Sequence, residues 1–356
     1  MAANMRVALV SMYTTHHEET GATRRLRRTA ELLAERDHEV TVLCAKWWDG
    51  EVVEFKQDGV TYHRVTDAPS VGGFASRVPF ALREVSPDVI QVASYPPSHI
   101  AAVKTAARFL RTPVVADWWT RDDRGGSRAY RRAAKAPNAV LVPSEMVRTQ
   151  VRELGASVDA THLVPEPISM DLVRSADAEE RADVVYARDL DEHANVESFL
   201  LALAELRDKG WSAAVIGDGP ERSTAEQTAR DLRIDDRVEF LGDLPADEAV
   251  PIMKGAHVFA QTATVEPFAT NLLWALACGC VSIVEYQARS SAHELVEGRE
   301  RGSLVTSPQE LADEIVAARR YDHETVDDDF ARYDYRRVIE QYESVYEAER
   351  DDYGFF

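Results

Sequence analysis

The sequence predicts an α/β protein made of two doubly wound parallel sheets, one following the other along the chain. Three observations carry that prediction. Short β-branched runs alternate with longer segments whose apolar residues fall at helical spacing, the order expected when helices join and cover parallel strands. The alternation completes itself once and restarts near Ala182. At 356 residues the chain is long enough for two domains of ordinary size.

MRVALVSM opens the chain as a β-branched strand. The loop YTTHHEETGATRR, which holds Gly21, leads into RLRRTAELLAERDHEV, where Leu26, Ala30, Leu33 and Ala34 share a helical face. HEVTVLCA is the next strand, completing the first strand–loop–helix–strand unit. No G-x-G-x-x-G follows the first strand, so the sequence gives no support for a nicotinamide or flavin dinucleotide site. Residues 61–66 supply a further strand, SVGGFASR a loop, SPDVIQVAS another strand, and RTPVVADWWTRDD a strand and loop ending in Asp117, Trp118 and Trp119. The helix beyond carries Arg124, Arg128, Arg131, Arg132 and Lys135, and spacings of about four, three and four residues place most of them on one face. NAVLVPSEMVRTQVRELG adds a strand, a serine-capped turn and a helix, and THLVPEPISMD a last strand and exit loop.

The second half runs through ADVVYARDL (strand and loop), NVESFLLALAELRDKG (amphipathic helix), SAAVIGDGPE (strand ending in a glycine turn) and RVEFLGDLPADEAVPIMKGAHVFAQTAT (strand, short helix, strand). The stretch from Gln261 to Glu297 then organises the rest. A polar loop reaches Glu266 and Pro267, and proline is tolerated near a helix N-terminus because its missing N–H would be unpaired there. Ala269, Thr270, Asn271 and Leu272 open the helix, Cys278-Gly279-Cys280 closes it, and VSIVEY follows as a buried strand. A carboxylate is thus held at a helix mouth able to receive a phosphate, a pairing suited to an anionic nucleotide attached to a polyol. The final segment, YDYRRVIEQYESVYEAER, sets Tyr335, Val338, Tyr342, Val345 and Tyr346 at helical spacing, a stripe expected to make core contacts. The boundaries expected are 1–175, 176–325 and a closing helix in 326–356.

Composition narrows the class. No apolar run approaches the roughly 20 residues needed to span a bilayer, and the N-terminus lacks a signal-peptide core, so a cytoplasmic protein is expected. Cys44, Cys278 and Cys280 read as reduced core residues, without the spacing of a zinc site. The net charge is -20, with only six lysines beside thirty-five arginines, a surface resembling that of proteins from salt-rich cytoplasm. Residues 1–150 hold 21 basic and 17 acidic side chains, so the excess of acid lies wholly in the remainder and an anionic partner is expected on the first half.

The Gln261–Glu297 stretch resembles a signature of family 4 of the retaining GT-B glycosyltransferases, matching it at Glu266, Phe268, Ala275, Ala277 and Gly279. YARDLDEHAN, IGDGP and VEFLG resemble further family segments in the same order, and SPDVIQVAS, NAVLVPS and THLVPEPISMD do so in the first half. Two departures stand out. Trp274 replaces the family's second glutamate and Ala269 the glycine after the phenylalanine. The resemblance implies a GT-B fold: two Rossmann-like domains facing across a cleft, with the C-terminal helix crossing back to the first. It also implies transfer of a sugar from a nucleotide-sugar to an acceptor with retention of configuration, needing no further cofactor and no metal. Arg188 falls on the family's phosphate-binding arginine, His193 near the position of its partner lysine, and Gly217, Gly219 and Leu241 on donor-side segments, while Gly21 lies where the family has a glycine-rich loop. Asp117 lies where members carry a functional histidine, and can orient an acceptor hydroxyl or cap the next helix. A nucleotide-sugar epimerase and a non-catalytic partner subunit of the same fold remain as alternatives.

Trp118 and Trp119 precede the basic face, and indole rings favour the headgroup boundary of a membrane. With Arg124, Arg128, Arg131 and Arg132 they point to a lipid-linked anionic acceptor at a membrane surface, and not to nucleic acid.

Overall fold

The structure, a computed structural model, describes residues 4–119 and 128–354, and Arg124 lies outside the described residues. The chain forms two compact units, Met1–Glu166 with Tyr335–Phe356, and Pro167–Asp334. The units divide after Glu166 and after Asp334 rather than at 175 and 325, because the short helix after the first crossing packs with the second unit.

The first unit is built around an eight-stranded sheet. In chain order its elements are β1 (Arg6–Val10), α1 (Gly21–Glu35), β2 (Glu39–Ala45), β3 (Glu54–Gln57), β4 (Val60–Thr66), α2 (Val71–Val85), β5 (Val89–Ala93), α3 (Pro97–Leu110), β6 (Val114–Asp117), α4 (Arg128–Lys135), β7 (Ala139–Val142), α5 (Glu145–Glu153) and β8 (Thr161–Leu163). The sheet order is β3-β4-β2-β1-β5-β6-β7-β8, parallel except for β3, an antiparallel edge. Successive side chains leave opposite faces of a strand, and β1 shows the consequence. Ala8 and Val10 enter one apolar core with α2, α3 and α4; Val7 and Leu9 enter the other with α1. Burial on both faces is why these strands read as unbroken β-branched runs.

In the second unit α6 (Met170–Ser175) precedes β9 (Val184–Ala187), α7 (Val196–Glu205), β10 (Ala213–Ile216), α8 (Arg222–Asp231), β11 (Val238–Gly242), α9 (Ala246–Gly255) and β12 (Val258–Gln261). These are followed by β13 (Val265–Glu266), α10 (Thr270–Ala277), β14 (Val281–Glu285), β15 (Arg289–Ser290), α11 (His293–Val296), β16 (Gly302–Val305) and α12 (Pro308–Ala317). Six strands form a parallel sheet in the order β11-β10-β9-β12-β14-β16, and β13 with β15 makes a separate two-stranded ladder. Trp274 sits in α10 with its side chain buried, so the residue replacing the signature's second glutamate is part of the packing.

The last helix, α13 (Tyr335–Gly354), belongs to the first unit. Its Val338, Ile339, Tyr342, Val345 and Tyr346 share a core with Leu26, Ala30 and Leu33 of α1. Arg36 and buried His38 both bond Glu343 at 2.8 and 3.0 Å, and the Tyr346 hydroxyl donates to Gln91 of β5. Where the chain enters and leaves the second unit, the two passages are joined. The Ile168 N–H donates to the Tyr333 carbonyl at 2.9 Å, and the Met170 N–H to an Asp334 carboxylate oxygen at 3.0 Å. All three cysteines are buried free thiols.

Candidate active site

In a doubly wound sheet the connections leave in opposite directions on either side of one strand pair, and a crevice opens beyond the carboxyl ends there. In the second unit that point lies between β9 and β12, since β10 follows on one side and β14 on the other. Arg188 leaves β9 at this point, and Glu266 follows the loop that leaves β12. The Arg188 Nη1 donates to Glu266 Oε2 at 2.6 Å, and Nη2 lies 3.3 and 3.4 Å from the two Asp191 oxygens. Both Arg188 and Glu266 are largely withdrawn from water, with side chains 12% and 15% exposed. Burial works against the guanidinium charge, but Glu266 and then Asp191 outweigh it, holding the Arg188 pKa above its ordinary value. The Nε–H is buried and has no hydrogen-bond partner among the described residues, so one charged donor is unused there.

Backbone contacts explain how the site is held. The His193 carbonyl accepts from the Thr264 N–H at 2.9 Å, tying together the loops after β9 and β12, and the His193 N–H donates to Asp191. The Glu266 carbonyl accepts from the Ser291 N–H at 2.8 Å, beside the ladder pairing Glu266 with Ser290. Gly217 and Gly219 adopt φ of +131° and +148°, a region that favours glycine. A Cβ at Gly217 would stand 1.9 Å from the Arg188 carbonyl oxygen, and one at Gly219 2.5 Å from that of Leu190. The glycine turn therefore lies directly on the backbone that carries Arg188. Ala269 precedes α10 without a side-chain cap, Leu272 is fully buried, and Asn271 Nδ2 donates to the Ala187 carbonyl at 3.1 Å. That bond joins the first turn of α10, which begins at Thr270, to the end of β9. Leu241 lies elsewhere, lining a cavity of about 340 Å³ with residues including Glu179, Arg181 and Pro251.

In the first unit the structure assigns different surroundings to several expected site residues. Asp117 ends β6 with its carboxylate 2.9 and 3.1 Å from Nε of the buried Arg25, whose Nη1 donates to Glu166 at 2.7 Å. Burial raises the pKa of both carboxyl groups against the pull of Arg25. Asp117 is thus a counter-ion in a packed network with Arg25 and Glu166. Trp118 corrects the membrane expectation: it is 2% exposed and meets Tyr130 edge-on in the core. As a strand-end neighbour it takes the face opposite to Trp119. The Trp119 ring instead covers Gly21, the first residue of α1, where a Cβ would meet the indole at 2.6 Å. Arg128, Arg131 and Arg132 are exposed on α4. Arg25 was not anticipated as a site residue. The signal was present in the spacing, since Arg25, Thr29 and Leu32 form a second buried stripe on α1.

Two stretches of the chain match known family profiles. Residues 20–172 match the profile of glycosyltransferase family 4, and residues 171–321 that of glycosyl transferases group 1. Each half of the chain thus resembles a glycosyltransferase domain. Its fold matches GT-B glycosyltransferase structures, among them Anabaena HepE in complex with UDP, with a TM-score of 0.77 at 20% identity over 97% of this chain and 100% of that one. Among curated proteins it is similar to a 2-deoxystreptamine glucosyltransferase of Streptomyces kanamyceticus, 25% identical over 201 residues, 52% of this chain. It is also similar to the gpi3 subunit of phosphatidylinositol N-acetylglucosaminyltransferase of Schizosaccharomyces pombe, 34% identical over 65 residues, 18% of this chain. The chain spans about half the length of the first of these relatives and 14% of the second.

Proposed function

We propose that the protein transfers a sugar from a nucleoside-diphosphate sugar to an acceptor hydroxyl with retention of configuration. The observation that carries this reading is the largely covered Arg188–Glu266 pair at the switch point of the second sheet, beside the start of α10. Arg188 would meet the diphosphate through its unused Nε–H and its Nη groups, and Glu266 would accept from sugar hydroxyls. As the acceptor oxygen bonds the anomeric carbon, the bond from that carbon to the phosphate oxygen breaks. The hydroxyl proton passes to the departing phosphate, whose developing charge Arg188 and the helix end stabilise. The HepE complex with UDP supports a uridine nucleotide as the first donor to try.

We further propose that the acceptor is lipid-linked and presented at the cytoplasmic membrane surface, on the strength of the exposed arginines of α4. Among the described residues no helix is long and apolar enough to cross a membrane. Arg188→Ala tests the reading. One charged donor to a transition state is worth roughly 3 kcal/mol, about 100-fold in turnover. Nucleotide-sugar consumption should fall by that factor while the thermal melt stays in place, and unchanged kinetics would reject the assignment. Consumption that needs no acceptor would favour the epimerase alternative.

A further inference from the structure

We propose that the outer face of the α2–α3–α4 layer docks on an anionic lipid bilayer, with Phe80 and Phe109 entering the boundary between headgroups and acyl chains. The three helices form one layer, α2 packing on α3 and α3 on α4, and all bury their inner residues in the same core. Their outer faces carry two features together. Phe80 is 70% exposed and Phe109 86%, the highest values for large hydrophobic side chains. The same helices hold eight arginines and lysines against a single acid, Glu84, on a chain whose net charge is -20. Arg77, Arg83, Arg108, Arg131, Arg132 and Lys135 are all exposed. Lys104 is left out of this face because it bonds Asn138 and lies near Glu349 of α13.

The pairing of features selects the partner. A polyphosphate chain would satisfy the arginines but leave the phenylalanine rings, which carry no hydrogen-bonding group, without an apolar phase. A bilayer surface offers anionic headgroups and hydrocarbon within one short depth, the combination that holds interfacial helices. Trp118 has no part in this surface, being buried beneath it. The proposal rests on the membrane-presented acceptor proposed above; it keeps the α4 arginines and sets Phe80 and Phe109 in place of the buried Trp118.

The test is co-sedimentation of the full chain with vesicles of mixed phosphatidylcholine and phosphatidylglycerol, against phosphatidylcholine alone. Wild type should pellet with the mixed vesicles at low salt. Phe80→Ser combined with Phe109→Ser should weaken that partition at least about tenfold, the loss expected when two buried aromatic rings are replaced by polar groups. Both positions face solvent, so the thermal melt should be unchanged. Arg131→Glu with Arg132→Glu should weaken it mainly at low salt, where charge is little screened. In Phe109→Trp, indole emission should shift to the blue on adding mixed vesicles. Wild type remaining in the supernatant at low salt, or the double serine variant pelleting as wild type, would overturn the proposal. So would a vesicle-free complex with RNA, or self-association, that the serine substitutions abolish. Arg188→Ala should pellet like wild type while losing turnover, so failure of the transfer reading is told apart from failure of the docking surface.

Discussion

Arg188 already has two carboxylates in hand, so a donor must share it rather than find it free. The proposed division of roles makes a specific prediction for Glu266→Gln. The variant removes the charge offered to the sugar hydroxyls and one anionic competitor for the guanidinium. Binding of the bare nucleoside diphosphate, followed by calorimetry, should be unchanged or tighter, while turnover of the nucleotide-sugar falls about 10- to 100-fold. Equal losses for both ligands would show that Glu266 merely positions Arg188. Gly217→Ala acts one layer further out. Its Cβ would collide with the Arg188 carbonyl in a backbone region costly to side chains, so destabilisation of about 1–3 kcal/mol in urea melts is expected, with loss of turnover. At this scale the sequence gives up Arg188, Glu266 and the glycine turn, because each sits in a local pattern. It does not give up their contact, which spans 78 positions and depends on how β9 and β12 pair. Trp118 and Trp119 part ways because adjacent residues leaving a strand point to opposite faces, which sets Trp118 in the core.

The elements of the first unit are joined by charge as well as by apolar packing. Arg25 of α1 reaches Asp117 at the end of β6, Glu166 at the crossing, and the Val164 carbonyl, with its guanidinium 5.5 Å from the Tyr342 ring of α13. Removing only the cation strands two buried carboxylates, so Arg25→Met should destabilise by about 3–5 kcal/mol. Adding Asp117→Asn and Glu166→Gln should recover part of the loss in the same urea melts. The bond between α13 and the body has its own pH signature. Burial opposes the Glu343 charge, but Arg36 and then His38 prevail and hold its pKa below the ordinary value. A depressed carboxyl pKa adds stability that is full above the unfolded value, about 4.3, and is lost as pH falls through the folded value. Asp117 and Glu166, shifted upward, have the opposite sign, and acid relieves them. The stability gap between wild type and Glu343→Gln should therefore be widest near neutral pH and close below about pH 4. Strands such as VALV and VVYA were legible because both faces are buried. The edge strand β3 and the two-residue β13 and β15 were not, since pieces so short or so exposed leave no apolar period.

Over the whole molecule a net charge of -20 means that self-repulsion opposes the compact state. Added salt screens that repulsion, so the melting temperature should rise on going from low salt to molar sodium chloride at fixed pH. A flat or falling curve would show that the buried pairs and the surface bridges, which salt weakens, dominate instead. The fold class was legible from the alternation of elements, and its repetition from the restart near Ala182. The exact crossings were not, because Glu166 and Asp334 owe their places to partners distant in sequence. Those crossings carry a consequence for how the protein is made. Its second unit is one continuous stretch spliced into a first unit that is discontinuous in the chain, and its two ends are already bonded to each other through Ile168 and Tyr333. On the ribosome the inserted unit is complete before the surrounding one, which must wait, with the apolar face beneath α13 uncovered, until the last residues emerge. Termination after residue 334 but before α13 is made would thus release a finished second unit tethered to an unfinished first one, a species fit for a chaperone or a protease rather than for work.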